Sequence, residues 1–373
     1  MANLIELAKQ NDDTLLQKAY RCAVEKSLLP DGAVLNGSVE IPKDVTNGDY
    51  AANHAMVCAK ALRMPPRKIA ETLTAQCDLT GSYFSSVSVA GPGFINFRLA
   101  QDWYTAVLEA VCKEGQDYGH ISDGDGKRVM VEFVSANPTG PMHLGNARGG
   151  VLGDALANVL SFAGYRVSRE FYVNDAGNQI EKFAASIDAR YQELLLGDAA
   201  PPFPEDGYHG DDITELAKAF LAQEGNGWLE KAETERHAAM ARFGLDRNIP
   251  KMKEDLRRYG IEYDRWFCES ELHRSGFVKD TIQKLTDSGF TYEKDGALWL
   301  RTAEILGSKL LSEGKSEEAI AKLELKDDVL RRSNGFYTYF AADIAYHRNK
   351  LETRGYDLAI NVWVPTTTGM SPV

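Results

Sequence analysis

The stretch "SANPTGPMHLGNARGG", residues 135–150, constrains the fold more than any other part of the chain. It holds two prolines, four glycines and a histidine, and it follows the apolar run "RVMVEFV". Proline fixes φ, and glycine opens conformations closed to other residues, so the stretch reads as a shaped turn and not as a linker. The run before it is β-branched and apolar enough for a strand buried on both faces. After it, "NARGGVLGDALANVLSFAGY" places Leu152, Leu156, Val159 and Ala163 on one stripe. That spacing predicts a helix burying the stripe, with Gly164 at its C-terminal cap. "RVSREFYVND" is the next strand. The turn therefore lies inside a strand–loop–helix–strand unit, the crossover of a parallel α/β sheet. Ligands of such sheets bind beyond the carboxyl ends of the strands, where this turn sits.

Around that unit the chain of 373 residues divides by pattern. Residues 1–110 read as a small α+β domain. It begins with a helix, and Ala51, Ala55, Ala59 and Leu62 keep helical spacing until Pro65 and Pro66 break it. "YFSSVSVAGPGFINFRL" then makes a hairpin. The helix "QDWYTAVLEAVCKEGQDYG" leads out toward the charged turn "SDGDGKR". Residues 111–190 carry the first half of the parallel-sheet domain, 191–300 a mostly helical insertion, and 301–363 the continuation of the sheet domain. "FTYEKDGALWLR" reads as a hairpin turning at Asp295-Gly296.

Composition excludes several classes. Hydrophobic residues at 44% and charged residues at 26% are ordinary for a globular protein. No run approaches the roughly 18–20 apolar residues of a membrane span, and the first twenty residues show no export signal. Cys22, Cys58, Cys77, Cys112 and Cys268 are scattered without a CxxC pair, which predicts reduced thiols, a cytoplasmic location and no bound metal. A net charge of −12 argues against a globally basic nucleic-acid coat but leaves room for a local groove.

The chemistry of the turn follows from its place. A helix N-terminus offers unpaired N–H groups and a partial positive charge, so phosphates collect there. Gly145 admits a ligand close to the backbone, Gly140 and the prolines set the loop's path, and His143 and Asn146 project polar donors beside the helix start. The spacing matches neither the dinucleotide nor the P-loop fingerprint. Taken alone, HxGN is equally a glycine-rich turn with a solvated histidine.

Beyond that motif, "VEFVSANPTGPMHLGNARGGVLGDALANVL" followed by "FYVNDAGNQI" resembles the signature region of the arginyl-tRNA synthetases, class I aminoacyl-tRNA ligases. "NGDYAANHAM", "VAGPGFINFRL", "FPEDGYHGDDI" and "RSNGFYTYFAADIAYHRNKLE" extend the likeness to Trp363. The resemblance implies a Rossmann-like parallel sheet, here incomplete, with a helical insertion and a preceding N-terminal domain that contacts the tRNA elbow. It implies ATP with magnesium as a substrate complex, L-arginine and tRNA(Arg) as partners, a monomer, and no tightly bound metal or organic cofactor. His143 and Asn146 match the first and fourth HIGH-type positions, which contact ATP and act in catalysis; Gly140 and Gly145 complete the ATP-binding set. Glu132, Ser135, Asn137, Tyr339 and Asp343 match positions that face arginine. A guanidinium asks for a carboxylate and fork-like acceptors, which suits Asp343. The residues alone also allow plainer roles: Glu132 pairing with Lys127 or Arg128, Tyr339 packing in the core, Asp343 pairing with Arg348. Two other functions remain open, a non-catalytic ATP- or tRNA-binding fragment and another HxGH-type nucleotidyltransferase.

The last residues depart from the family. After "NVW" the family continues approximately Gly-Ala-Asp-His-His-Gly-Tyr-Val-Pro-Arg-Met-Lys, whereas this chain reads "VPTTTGMSPV". Back-translating the family segment with third bases chosen freely, dropping one base from its first codon and regrouping gives Val364 to Val373 and a stop codon. The expectation is an out-of-frame tail at 364–373, a truncated synthetase with negligible aminoacylation on its own, and a sheet ending on an uncovered edge.

Overall fold

Val87 opposite Phe97, Val89 opposite Ile95 and, beyond a bulge, Phe84 opposite Leu99 fold Phe84–Ala90 (β3) and Phe94–Leu99 (β4) into the hairpin expected of them, around Gly91 and Gly93. They belong to the first of two units in a computed structural model that describes residues 4–363, with the boundary between Ile121 and Ser122. Residues 364–373, the expected out-of-frame tail, lie outside the described residues.

The first unit begins with helix α1 (Leu4–Glu25). Strands β1 (Val39–Glu40) and β2 (Tyr50–Ala52) join the hairpin in an antiparallel sheet of order β1-β2-β4-β3. Helices α2 (His54–Leu62) and α3 (Pro66–Ala75) follow β2, and α4 (Gln101–Glu114) follows β4. The helical spacing read from Ala51 onward starts too early: Ala51 is paired in β2 with Asn96, and the helix opens at His54. Leu16, Ala52, Ala55, Ile69, Leu73 and Phe97 form its core at essentially zero exposure.

The second unit is built on β5 (Arg128–Phe133), α5 (Leu144–Phe162) and β6 (Arg166–Val173), the crossover read from sequence. Three helices follow: α6 (Asn178–Leu196), α7 (Asp211–Glu224) and α8 (Glu233–Arg258), packed on Phe183, Ile187, Tyr191, Phe220 and Met240. Next come β7 (Arg265–Cys268), α9 (Glu269–Arg274) and α10 (Phe277–Asp287). Strands β8 (Thr291–Lys294) and β9 (Ala297–Leu300) form the hairpin over Asp295-Gly296, both at positive φ. After α11 (Thr302–Ser312) and α12 (Glu317–Ala321), β10 (Asp328–Arg331) completes a three-stranded sheet with them. Helix α13 (Tyr339–Arg348) runs into a π-helical turn at Asn349–Thr353, and β11 (Leu358–Val362) ends the described chain.

The main sheet is parallel throughout, in the order β11-β5-β6-β7. The connections part on either side of β5, so the crevice for a ligand opens at the carboxyl ends of β5 and β11. Two sequence expectations fail here. Strand β7 belongs to the main sheet although it falls inside the stretch read as a helical insertion, because four residues are too few to carry a period. Helix α5 buries its stripe only in part: Leu156 packs against the core, but Leu152 is 61% and Val159 65% exposed. It turns Gly149, Gly150, Gly153 and Ala157 inward instead. A Cβ at Gly153 would overlap the Phe133 ring, so the missing side chain is what lets the helix lie close on β5.

Candidate active site

Strand β5 ends in strained backbone. Val134 has φ +67° and Ser135 φ +41°, and the Ser135 N–H donates to Phe133 O at 3.0 Å across a γ-turn. A β-branched residue in the left-handed region is costly, and such strain persists where surrounding structure enforces it. Three contacts enforce it here. The Ser135 hydroxyl donates to Glu132 Oε1 (3.0 Å) and accepts from the Tyr172 N–H (3.1 Å), and the Tyr263 hydroxyl donates to Phe133 O (3.0 Å). Farther along, Asn248 Nδ2 of α8 donates to Pro138 O at 2.8 Å and pins the loop.

The loop then delivers His143 as the N-cap of α5. Its Nδ1 accepts from the Gly145 N–H (3.1 Å), while Asn146 Oδ1 accepts from the His143 N–H (3.0 Å). This reciprocal cap has a chemical consequence. An Nδ1 that accepts forces the proton of a neutral imidazole onto Nε2, and an Asn146 amide held by its oxygen keeps its NH₂ free of the cap. Both side chains thus hold a donor in reserve. The expected cradle of helix amides is smaller than the sequence implied: the Gly145 N–H is taken by His143 Nδ1, and the Asn146 N–H by His143 O at 2.9 Å.

A cavity of about 1110 Å³ opens above these residues. Glu132, Ser135, Asn137, Gly140, His143, Gly145 and Asn146 line it, with Tyr172, Asn174, His209, Asp212, Val362 and Trp363. A second hollow of about 410 Å³ is lined by Asn137, Tyr172, Asn174, Gln179, Glu269, Tyr339 and Asp343. The two share Asn137, Tyr172 and Asn174. All nine residues singled out from sequence therefore line one or other of two adjoining cavities.

Their surroundings differ from the plain pairings the residues alone allow. Glu132 pairs with neither Lys127 nor Arg128; its Oε2 accepts from Lys350 Nζ at 2.6 Å, and Lys350 is fully buried. Asp343 faces His347 (Nδ1 to Oδ1, 3.4 Å), whereas Arg348 turns to Asp280 and Glu352. The hydrogen bond to Asp343 raises the His347 pKa, against burial and the Lys350 charge, which lower it. Tyr339 is 44% exposed and lies over Gly177, where φ is +82°; a Cβ there would come within 3.2 Å of the phenol oxygen.

Sequence patterning does not single out Glu269, Gln179 or Tyr172. Glu269 is 4% exposed, accepts from the Tyr172 hydroxyl at 2.9 Å and begins α9. Burial, with Glu269 next, pushes the Tyr172 phenol far above its usual pKa, so it stays a neutral donor. Gln179 Oε1 is buried without a protein partner. The second hollow thus presents two carboxylates and an unsatisfied amide oxygen, acceptors that suit a multidentate cation. Exposed His273 places its Nε2 3.4 Å from Glu269 Oε1, and His237 faces Asp188 at 3.5 Å. Among the described residues no cluster of side chains has the makings of a metal site, and no helix is long and apolar enough to cross a membrane.

Comparison with known proteins matches residues 14–99 to the arginyl tRNA synthetase N terminal domain, and residues 107–366 to the catalytic domain of class I tRNA synthetases (R). An arginine–tRNA ligase of Caldanaerobacter subterraneus subsp. tengcongensis is 50% identical over 363 residues, 97% of this chain and 61% of that protein. One from Acetivibrio thermocellus is 45% identical over 362 residues, with the same coverage of both chains. The solved arginyl-tRNA synthetase of Thermus thermophilus superposes with a TM-score of 0.54 at 25% identity, covering 91% of this chain and 53% of that one. The chain spans about three-fifths of the length of the curated relatives it matches (61%).

Proposed function

Since the chain belongs to the arginyl-tRNA synthetases of class I, we propose that it serves the ATP-dependent activation of L-arginine and transfer of the arginyl group to tRNA(Arg). The observation that carries this reading is the meeting of two cavities at Asn137, Tyr172 and Asn174. One is edged by the reserved donors of His143 and Asn146, the other by Tyr339, Asp343 and Glu269.

In this reading arginine's guanidinium lies against Asp343 and Glu269, and its α-carboxylate reaches toward Asn137. ATP occupies the larger cavity with its phosphates at the start of α5. The carboxylate oxygen attacks the α-phosphorus, the bond to the β-phosphate bridge breaks, and pyrophosphate departs, leaving arginyl-adenylate. The terminal ribose hydroxyl of the tRNA then attacks the acyl carbon and AMP leaves. No protein nucleophile takes part, so catalysis rests on positioning and on donors preset for phosphate charge. His143 Nε2–H and Asn146 Nδ2–H are those donors. Neither lysine nor arginine is among the described residues lining the larger cavity; magnesium bound to ATP would supply positive charge that these neutral donors do not.

Titrating L-arginine, L-citrulline and L-lysine into the chain by calorimetry tests the reading. Arginine should bind at least roughly a hundred-fold tighter than citrulline, which has the same shape without the charge and leaves Asp343 and Glu269 unpaired. A chain spanning about three-fifths of its relatives should turn over weakly at best, and whatever ATP–pyrophosphate exchange it supports should respond to arginine alone. Equal binding of citrulline, or exchange driven by another amino acid, would overturn it.

Gly145→Ala gives a second, separable result. A Cβ at 145 would sit 2.9 Å from the His143 ring, so the imidazole must leave its cap. Alanine is also the better helix former by about 1 kcal/mol. Loss of the cap costs about as much, so the variant should melt close to the parent while binding ATP roughly ten-fold more weakly, since one charge-directed hydrogen bond is lost. Unchanged ATP affinity would remove His143 from the phosphate site.

A further inference from the structure

A fully buried ammonium lies behind both cavities, and nothing in the chemistry above uses it. Lys350 sits in the π-helical turn that follows α13, and its side chain is wholly buried. Single π-turns inside α-helices recur at functional sites because they re-aim one side chain. Here the turn brings Lys350 Nζ to Glu132 Oε2 (2.6 Å) and Asn361 Oδ1 (3.1 Å), and over the Tyr346 ring at 3.9 Å. Asn361 on β11 is the register partner of Glu132 on β5, so the two residues that accept from the ammonium lie side by side in the sheet.

The bonds have a direction. An ammonium only donates, so the Asn361 amide must offer its oxygen to Lys350 and its NH₂ to the other side. On that side Asn361 Nδ2 donates to His347 Nε2 at 3.1 Å. An accepting Nε2 places the proton of neutral His347 on Nδ1, and Nδ1 faces Asp343, 3.0 Å from its carbonyl oxygen and 3.4 Å from Oδ1. One cation thus fixes an amide, the amide fixes a tautomer, and the tautomer turns Nδ1–H to Asp343, bonding its carbonyl oxygen at 3.0 Å with the carboxylate 3.4 Å away in the smaller cavity.

We propose that Lys350 is a positioning residue that acts through Asn361 and His347 to hold the Asp343 carboxylate in one orientation for a guanidinium, while holding Glu132 at the other cavity. This rests on the arginine-site reading. The coupling makes the two cavities answer to one buried charge, so the amino-acid site and the nucleotide site share a common support.

The test uses the full chain and two substitutions at Asn361, which leave the Lys350–Glu132 pair in place. Asn361→Leu removes the link; Asn361→Asp keeps an acceptor for Lys350 but faces His347 with an acceptor in place of a donor. Ring nitrogen shifts of His347, followed from about pH 6 to about pH 9, read its tautomer directly. The parent should show Nδ1–H in the neutral form; Asn361→Asp should put a proton on Nε2, and Asn361→Leu should show a mixture. Calorimetry should find arginine bound roughly ten-fold more weakly by Asn361→Leu, with ATP affinity within about two-fold of the parent. An unchanged tautomer in both variants overturns the proposal, as does arginine affinity within about two-fold of the parent in Asn361→Leu. If the parent binds no arginine at all, the functional reading fails, and the tautomer measurement still decides whether Lys350 directs His347.

Discussion

At pH 8 the Asp12→Asn variant should melt well above the parent chain, and the gap should close as the pH is lowered toward 4. Asp12 lies on α1 with zero exposure, and neither carboxyl oxygen has a hydrogen-bond partner. Burial pushes its pKa up from 3.8 to about 8. The sign follows from proton counting. Between those values the folded state keeps a proton that the unfolded state has released, so stability falls as pH rises. The loss is complete near pH 8, and at about 1.4 kcal/mol per pH unit it amounts to something on the order of 5 kcal/mol. An amide of the same shape carries no such charge. It leaves its own N–H groups unpaired, so near pH 4 the variant should hold no advantage or lie slightly below the parent. Melting by calorimetry across pH 4 to 8 checks this. A parent whose first-unit transition is independent of pH, or a variant with the same slope, would show that Asp12 finds a partner when ionised. The same carboxyl, after burial itself, helps push the neighbouring Cys77 thiol up to about 11, which keeps it protonated and poorly reactive.

What the amino acids disclose beforehand depends on how local the cause is. The strand–turn–helix unit is legible because apolar period, proline and glycine act over a few residues, and the 90–94 and 295–296 turns are legible for the same reason. The buried face of α5 is not. Periodicity arguments assume that large apolar residues seek the core, whereas this helix needs close approach to Phe133 and so turns glycines inward. Strand β7 escapes notice because its placement in the sheet comes from pairing with β6, not from its own four residues. The site divides along the same line. His143, Asn146, Tyr339 and Asp343 stand in contiguous motifs, but the bond between Glu132 and Lys350 joins residues 218 apart. No window of sequence contains both. His143 adds a subtler case: histidine is an unusual N-cap, and only the bond from the Gly145 N–H shows that the ring is held by one nitrogen and offers the other.

That distant pair carries the larger test of the second unit. Lys350→Met should cost about 3–5 kcal/mol of stability, because it strands the Glu132 carboxylate, only 8% exposed, with a neutral donor, the Ser135 hydroxyl, against it. Adding Glu132→Gln to that variant should restore most of the loss, since methionine beside a neutral amide leaves no buried charge. The double substitution therefore destabilises less than Lys350→Met alone, the reverse of additivity. Denaturant unfolding of the parent, both single variants and the double variant closes the cycle. A deeper network is the internal control. Glu170 on β6 is wholly buried and pairs with Arg354, whose Nη2 lies 2.8 Å from Oε1, and it accepts from the Tyr346 hydroxyl at 2.5 Å. Tyr346 touches both pairs, because the Lys350 ammonium lies over its ring. If simple packing held Lys350 in place, Lys350→Met would be nearly neutral and Glu132→Gln would not rescue it. A large loss with rescue instead means that Glu132 keeps its charge beside the larger cavity only while Lys350 pairs with it. Glu132 in turn accepts from the Ser135 hydroxyl, so the pairing reaches the strained Val134 turn through that bond.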